Sequence, residues 1–329
     1  MVRKMSDWNS VYTWPELVDA LDFQSDLQGA AATHTFPPRT KAPRGLWDDE
    51  KEAVGKLWTS QNGGAQWQLR HEAPGRIVVV QSFPSQILAV RALYAADRNP
   101  PLKHQLETFG SGGGAPQILG ILPELVVGIG FISPERGFAW AAKNILWTDT
   151  AGRAWSKVAQ RTPDAVVARI QSVRPDGTIY YIRDKRVYRH PSGANVGERV
   201  LGGMANAQAE TVCVDRDKDT VVVAAKEGKK WVCGFYEDDQ PKSLETIEDA
   251  PLGDTQAYLM HAARGDVTFI TITTRSFLPE YASFRRTGGR WHREDISGAR
   301  NFGALAFAGA RAWVSRRSAS EPATRLYRR

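Results

Sequence analysis

The sequence has few of the residues that define a disulfide framework or a metal centre. Only two of its 329 residues are cysteines, and Cys213 and Cys233 lack the short Cys-x-x-Cys spacing of a zinc site. The six histidines are scattered, and no two of them stand in a His-x-His or His-x-x-x-His pair. The sequence therefore gives no sign of a metal site or of another cofactor, and we expect neither.

Long apolar segments are absent as well. No run approaches the roughly 18 apolar residues needed to cross a bilayer, and the first residues lack the apolar core of a secretory signal. Hydrophobic residues make up 42% of the chain and charged residues 24%, which is the composition of a soluble globular protein. We predict a cytoplasmic protein without a membrane span.

Helix-forming signals are scarce. One short helix is predicted from residue 14 to residue 21, because Thr13 is a candidate N-cap and Pro15 falls in the first turn. A proline-rich loop follows at residues 35–43. We therefore expect residues 1–44 to form an N-terminal extension to the main domain.

The chain does contain a recurring pattern of short β-forming segments separated by Gly, Asp and Asn turns. The segments come in groups of three, at residues 165–173, 178–183 and 186–190; 210–215, 220–225 and 230–236; 267–273, 281–285 and 290–294; and 304–308, 311–316 and 324–328. Repeats of about 40 to 50 residues, each an antiparallel meander, are typical of a β-propeller.

Three turns that end in tryptophan support this interpretation. The first contains Ser60, Asn62, Gly64 and Trp67, the second contains Thr148, Thr150, Gly152 and Trp155, and the third is a Gly-rich turn before Trp291. The three tryptophans are separated by 88 and 136 residues, which correspond to two and three periods of about 44 to 45.

The first two turns resemble the Asp-box, Ser-x-Asp-x-Gly-x-Thr-Trp, of sialidase-like (BNR) propellers, with Asn62 and Thr150 at the Asp position. Residues 130–140, followed by 144–148, resemble a blade of the photosynthesis-stability-factor propellers. The resemblance implies a turn between the third and fourth strands of a blade, held by its short polar side chain. It also implies that the tryptophan packs between neighbouring blades.

We therefore predict an all-β fold, a β-propeller of about seven four-stranded antiparallel blades over residues 45–329, with six blades as the alternative. A strand near residues 10–14 is expected to close the ring by pairing with the C-terminal blade, since closure hides open sheet edges. In this fold one strand separates Cys213 from Cys233, so we predict two free thiols.

The resemblance to sialidases raises an enzymatic alternative, because those enzymes use three arginines, a tyrosine with a glutamate partner and an acidic group. Their first arginine segment has no match here, since Gly75-Arg76-Ile77 lacks the proline. Glu280 and Tyr281 are better explained as a loop and a core residue. We assign no catalytic residue, and a sialidase-like glycoside hydrolase or glycan-binding propeller stays the alternative.

A glycine-rich segment at residues 110–114 suggests a phosphate cradle at first sight. A phosphate-binding loop needs a Lys-Ser/Thr pair and a helix start, but Ala115 and Pro116 follow here. We interpret the segment as a loop between strands, within an insertion from residue 97 to residue 123 that lies over one face of the ring.

The positive charge is concentrated at the C-terminal end. Residues 264–329 contain 13 arginines, no lysine and five acidic residues, a net charge of +8 against +7 for the whole chain. Arginine alone suits bidentate carboxylate contacts, whereas nucleic-acid proteins spread both lysine and arginine over a stripe, so a nucleic-acid partner is less favoured. The candidate partner-binding residues are Arg285, Arg286, Arg316, Arg317 and Arg328.

These observations predict a non-enzymatic propeller that serves as a platform for protein–protein binding. The partner is expected to be an acidic protein, and the role that of an immunity or inhibitor protein or of an assembly factor. No small-molecule substrate is indicated.

Overall fold

The computed structural model describes the greater part of the chain. The described residues are 9–35, 52–94, 103–110, 114–141, 143–160, 173–191, 199–204, 206–215, 219–251, 254–263, 267–274, 281–294, 301–308, 311–317 and 323–328. They form strands and turns, and no helix occurs among them. The predicted strand over residues 165–173 lies outside the described residues except for Val173, which bridges to Ile179 in antiparallel fashion.

The strands form seven antiparallel sheets, here called blades 1 to 7 in chain order. Blade 1 contains β2 (Leu17–Phe23), β3 (Gly29–Thr35), β4 (Val54–Ser60) and β5 (Gln68–Pro74). Blade 2 contains β6 (Ile77–Ser82), β7 (Gln86–Leu93), β8 (Lys103–Gly110) and β9 (Gln117–Ile121). Blade 3 contains β10 (Val126–Phe131), β11 (Gly137–Ala141), β12 (Asn144–Thr148) and β13 (Ser156–Gln160).

The remaining sheets follow the same order. Blade 4 contains β14 (Ile179–Arg183), β15 (Arg186–His190) and β16 (Arg199–Val200). Blade 5 contains β17 (Gln208–Asp215), β18 (Thr220–Glu227), β19 (Lys230–Glu237) and β20 (Gln240–Thr246). Blade 6 contains β21 (Thr255–Ala263), β22 (Val267–Thr274), β23 (Tyr281–Thr287) and β24 (Arg290–Glu294). Blade 7 contains β25 (Asn301–Ala308), β26 (Arg311–Arg317), β27 (Thr324–Arg328) and β1 (Asn9–Trp14).

Apolar packing between neighbouring sheets makes the ring. Among the described residues, six buried clusters join blades 1 and 2, 2 and 3, 3 and 4, 4 and 5, 5 and 6, and 7 and 1. Blades 6 and 7 contact each other through their first strands, β21 and β25. The predicted all-β propeller of four-stranded antiparallel sheets is therefore confirmed as a fold class.

The chain ends meet in blade 7. Strand β1 pairs antiparallel with β27, from Asn9 opposite Arg328 to Trp14 opposite Thr324. Trp14 is fully buried in the cluster that joins blades 7 and 1. The ring thus closes non-covalently, through an N-terminal strand that covers the edge of β27.

The predicted helix over residues 14–21 is wrong. Pro15 lies in the connection between β1 and β2, and burial along β2 alternates, with Val18, Leu21 and Phe23 inside. That alternation, shifted once by a bulge at Asp19, is the pattern of a strand, and packing against blade 7 overrides the helix-start signal. The boundary at residue 44 moves as well, because β2 and β3 already belong to blade 1.

Two other expectations concern single segments. The predicted insertion over residues 97–123 is corrected, because β8 and β9 are the outer strands of blade 2. The two thiols are free, as predicted, and both are buried. Strand β18 lies between them, with Val222 opposite Cys213 and Ala224 opposite Cys233.

Candidate functional site

The alternation of strand directions gives the ring two faces. We call the lower face the end at which the first strand of a blade turns into the second and the third into the fourth. The upper face holds the connections from the second strand to the third and from one blade to the next. Loops on such faces carry function more often than the strands that support them.

The first tryptophan turn, residues 60–67, lies on the lower face between β4 and β5. The Ser60 hydroxyl accepts the backbone N–H of Gly64 at 2.9 Å, and Asn62 Oδ1 accepts that of Gln66 at 2.9 Å. Gly63 and Gly64 have φ of 69° and 84°, a conformation that favours glycine. The Trp67 indole N–H donates to the carbonyl of Gly64 at 2.9 Å and closes the turn.

The second tryptophan turn, residues 148–155, lies at the same place in blade 3, between β12 and β13. The Thr148 hydroxyl accepts the N–H of Gly152 at 2.9 Å, and the Thr150 hydroxyl accepts that of Ala154 at 2.9 Å. The Trp155 indole donates to the Gly152 carbonyl at 2.9 Å. The two turns therefore share the same hydrogen bonds at equivalent positions, although only the glycine and the tryptophan are identical.

The third turn is different. Gly288 and Gly289, with φ of 57° and 75°, join β23 to β24 in a two-residue hairpin. The Trp291 indole donates to Glu245 Oε2 at 3.1 Å, across the boundary with blade 5. Trp67, Trp155 and Trp291 belong to blades 1, 3 and 6, so the predicted separation of two and three repeats is confirmed. Each tryptophan packs on the cluster shared with the preceding blade.

The first tryptophan turn also holds the ring seam. The Gly63 carbonyl accepts the Trp313 indole N–H at 3.0 Å and an Arg328 guanidinium N–H at 3.2 Å, both from blade 7. The ring of Phe23 stacks on Trp313 with centroids 3.8 Å apart. Arg328, predicted as a partner-binding residue, is therefore used inside the molecule.

Arg286 is also used inside the molecule. Its guanidinium makes two hydrogen bonds of 2.7 Å to Glu245 of blade 5 and lies 4.3 Å from the centroid of the Phe235 ring. A bidentate pair that is three-quarters or more buried on both sides is a structural contact between blades. Arg286 and Arg328 therefore both make contacts between blades.

The other three candidate arginines lie apart from each other. Arg285 is near the lower end of β23, whereas Arg316 and Arg317 end β26 at the upper face. Arg316 stands directly opposite Arg325 on β27, which is exposed. The five predicted residues therefore do not form a single cluster.

Three arginines that the prediction did not single out are exposed on the same two blades. Arg290 and Arg293 lie on β24, the outermost strand of blade 6, and Arg325 lies on β27 of blade 7. Arg311, nearby on blade 7, is 43% exposed and lies 3.7 Å from Asp26. Arg290 begins β24 at the lower face, whereas Arg325 lies near the upper end of β27, so these residues are spread over the two blades. We call Arg290, Arg293 and Arg325 together the arginine surface.

The inner strands differ from the outer ones in charge and in geometry. The first strand is described in six of the seven blades, and these six strands contain no arginine or lysine.

Each of these first strands carries a register shift near its upper end. In five of these strands the shift skips a single residue: Asp19, Val78, Val127, Glu210 and Tyr258. Such bulges re-aim side chains at the ends of sheets, and Val127 is 46% exposed.

Within the described residues, the inner strands do not supply the arginines of the sialidase-like alternative. That chemistry needs three arginines beside a tyrosine–glutamate pair on the axis, and the described inner strands supply no arginine. Tyr281 begins β23, the third strand of blade 6, which is set back from the axis, and Glu280 lies outside the described residues. Among the described side chains no group of acidic residues, histidines and cysteines is arranged to hold a metal ion.

A buried charged network locks blades 1 and 2 together near the upper face. The Arg91 guanidinium pairs with Glu107 at 2.8 Å and donates to the carbonyls of Ala73 and Gly75 in the crossover between the blades. Both charged side chains are at most 3% exposed.

His104, also in blade 2, is a buried histidine. Burial lowers its pKa to about 4, and the Val126 N–H donates to its Nδ1 at 3.0 Å.

A second polar cluster joins blades 4 and 5 on the lower face. Asp239 accepts the Tyr180 hydroxyl at 2.5 Å and lies 2.7 Å from Arg189, while Arg174 lies 2.7 Å from Asp219. Burial raises the pKa of Tyr180, and its bond to Asp239 acts in the same direction. Each acid here has an internal basic partner, so the cluster is a joint between blades.

A cleft opens between blades 1 and 2 on the lower face. Its free volume is about 80 Å³, and the first tryptophan turn and the β6–β7 turn form its walls. The lining residues are Gln24, Gln28, Gly29, Thr59, Ser60, Gln61, Arg70, Ser82, Phe83, Pro84, Gln86 and Ile87. Arg70 is the one charged residue among them.

Comparison with known proteins identifies the fold alone. No protein-family model and no curated protein matches the chain. Solved structures that are similar over nearly the whole chain include the following three. YCF48 bound to a D1 peptide has a TM-score of 0.60 at 11% identity, covering 99% of this chain and 96% of that one. A catalytically inactive virginiamycin B lyase from Staphylococcus aureus with quinupristin has a TM-score of 0.62 at 10% identity, covering 98% of both chains.

The third similar structure belongs to the mitotic checkpoint complex. It has a TM-score of 0.61 at 9% identity and covers 100% of this chain and 94% of that one. A peptide-bound protein, a lyase and a component of a protein assembly thus share one architecture, and function must be argued from the surface of this chain. The part of the chain described here has no helix long and apolar enough to cross a membrane.

Proposed function

We propose that the chain is a non-enzymatic propeller platform that binds an acidic protein through the arginine surface of blades 6 and 7. The observation that carries the proposal is the exposure of Arg290, Arg293 and Arg325 on outer strands of a ring whose described inner strands hold no arginine or lysine. Exposed arginines on a rigid support present a planar donor group suited to carboxylates.

The similar structures fit a binding role. YCF48 is described in complex with a peptide, and another neighbour is part of a protein assembly. We propose the same general role here, as an immunity or inhibitor protein or as an assembly factor. The two roles differ in outcome, because an inhibitor blocks the activity of its partner, whereas an assembly factor is absent from the finished complex.

We also propose that the two tryptophan turns are Asp-boxes in which Asn62 and Thr150 replace the aspartate. The shared hydrogen bonds at residues 60–67 and 148–155 support this assignment. Their role is structural, because both tryptophans pack between blades and the first turn holds the ring seam.

Affinity capture from an extract of the native host tests the binding proposal. The wild-type chain is compared with R290E/R293E/R325E and with a control, K103E/R153E/K157E, which makes the same charge change at exposed positions of blades 2 and 3. We expect one acidic protein to be retained by the wild type and the control and to be lost from the arginine variant. Capture that is equal in all three proteins, or absent from the wild type, would contradict the proposal.

A further inference from the structure

The lower-face cleft between blades 1 and 2 has the composition of a polar binding pocket. Four glutamines and three hydroxyl residues face it beside the aromatic ring of Phe83. Ligand sites combine an apolar wall with a few polar groups that fix orientation, and this cleft has both. Its free volume of about 80 Å³ suits a single side chain or a group of that size.

Two polar atoms in the lining are buried without a hydrogen-bond partner. They are Gln24 Oε1 and Ser82 Oγ. The Gln24 amide N–H₂ donates to Gln28, so its oxygen is the side that requires a donor. Nearly all buried polar atoms in folded proteins are satisfied, so these two atoms are positions at which a ligand can supply a hydrogen bond.

The charge of the cleft defines the ligand further. Arg70 lines the cleft, and no acidic residue is among the lining residues. The Arg70 Nε donates to the Thr59 hydroxyl at 2.8 Å, which fixes the plane of the guanidinium and leaves its terminal nitrogens for an anion. The site therefore offers a cation, a hydroxyl and an acceptor.

The walls are held in place by the fold. The Ser60 hydroxyl is fixed within the first tryptophan turn, and the Phe83 N–H donates to the Gln86 carbonyl at 2.8 Å. A side chain at Gly29 would meet the Phe23 ring at 2.5 Å, so glycine is required at the floor. A ligand would enter a formed site and would lose little affinity to ordering it.

We infer that this cleft binds one glutamate or aspartate side chain of a partner protein together with its backbone amide. The carboxylate pairs with Arg70 and accepts from the Ser82 hydroxyl, and the backbone N–H donates to Gln24 Oε1. This inference rests on the proposed function in one respect: the protein that carries the carboxylate is taken to be the acidic partner proposed there. The cleft lies between blades 1 and 2, whereas the arginine surface lies on blades 6 and 7, so the two sites are on different parts of the ring.

Small probes test the pocket without any partner. Binding of acetyl-glutamate-amide is compared with that of acetyl-glutamine-amide by NMR titration of the full chain. We expect the acidic probe to bind at least tenfold more tightly, because only it gains a charge-assisted bond with Arg70. Equal binding of the two probes, or no binding of either at millimolar concentration, would overturn the inference.

Variants locate the effect. R70Q should reduce the affinity for the acidic probe about tenfold or more and abolish the preference over the neutral probe. R70K should restore most of that preference. Q24A should weaken the binding of both probes. R153Q is the matched control, since Arg153 is an exposed arginine in the second tryptophan turn, outside the cleft and the arginine surface. R70Q binding that equals wild type, in a chain with unchanged thermal unfolding, would overturn the assignment.

The same variants separate this inference from the proposed function. If the probes discriminate and R70Q also reduces capture of the acidic protein, the carboxylate belongs to that partner. If the probes discriminate but capture by R70Q is unchanged, the assignment to the captured partner is overturned while the proposed function stands. Loss of capture in the arginine-surface variant alone bears only on the proposed function.

Discussion

At the scale of single residues, the fold depends on side chains that replace missing backbone contacts between blades. Arg91 binds two crossover carbonyls, and Gly63 accepts two side-chain donors from blade 7. The contacts of Gly63 join residues 250 and 265 positions apart, so the ring must close before they form. Sequence patterns cannot reveal them.

Removing the charge of Glu107 should strongly destabilise the chain. The E107Q substitution leaves the Arg91 guanidinium buried without a counter-charge, and breaking such a pair costs about 3 to 5 kcal/mol. Urea unfolding measures the loss. The control is E237Q, because Glu237 and Lys242 form an exposed pair worth less than about 1 kcal/mol. Equal losses in the two variants would refute this account of Arg91.

The polar position of the first tryptophan turn should tolerate aspartate but not alanine. N62D keeps the acceptor for the Gln66 N–H, whereas N62A removes it and should cost about 1 kcal/mol. We expect N62D to unfold within about 0.5 kcal/mol of the wild type, because an acceptor bond of this kind is retained. Thermal unfolding of both variants decides the matter, and an alanine variant as stable as the wild type would show that the turn does not need the bond.

Protonation of His104 should weaken the fold in mild acid. Its folded pKa of about 4 lies below the ordinary histidine pKa of 6.5, so between these pH values the unfolded chain binds a proton that the folded chain does not. Stability is therefore lost as pH falls from 6.5 to 4, by up to about 3 kcal/mol. H104Q should flatten the pH dependence of urea unfolding in this range, whereas H292Q, at an exposed site, should not. An unchanged slope in H104Q would contradict the assignment.

At the scale of strands, the sequence revealed strands in which buried and exposed residues alternate. It did not reveal the polar strands at the outer edges of the sheets. The predicted segments at 220–225, 230–236, 290–294 and 324–328 coincide closely with β18, β19, β24 and β27. Strand β20 has almost no buried residue, because it is the outermost strand of blade 5, and so it lacks the alternation that sequence analysis detects. The helix prediction failed for the opposite reason, since a local start signal was outweighed by packing against blade 7.

The closing strand should be essential for stability. Deleting residues 1–14 removes β1 and the buried Trp14, exposes the edge of β27 and should cost at least the 3 to 5 kcal/mol typical of losing a core tryptophan. Deleting residues 1–7 is the control and should leave the unfolding midpoint unchanged. If both truncated chains unfold together with the wild type, the pairing of β1 with β27 does not close the ring in solution.

At the scale of the whole molecule, the candidate site could be predicted only in part. The arginine excess of the last fifth was visible in the sequence, but its division between internal and exposed positions was not. Arg286 pairs with a residue 41 positions away, and Arg328 contacts a turn at the other end of the chain. The cleft was invisible to sequence analysis, because its lining comes from four separate segments that the ring brings together.

The dissociation constant of the complex between the purified chain and the captured acidic protein tests the central claim most directly. It is measured at 50 and 200 mM salt for the wild type, R290E/R293E/R325E and K103E/R153E/K157E. We predict that the arginine variant binds at least 100-fold more weakly at low salt, while the control stays within about threefold, because the three reversed charges face the partner only in the first variant. Equal affinities for the two variants would contradict binding through the arginine surface.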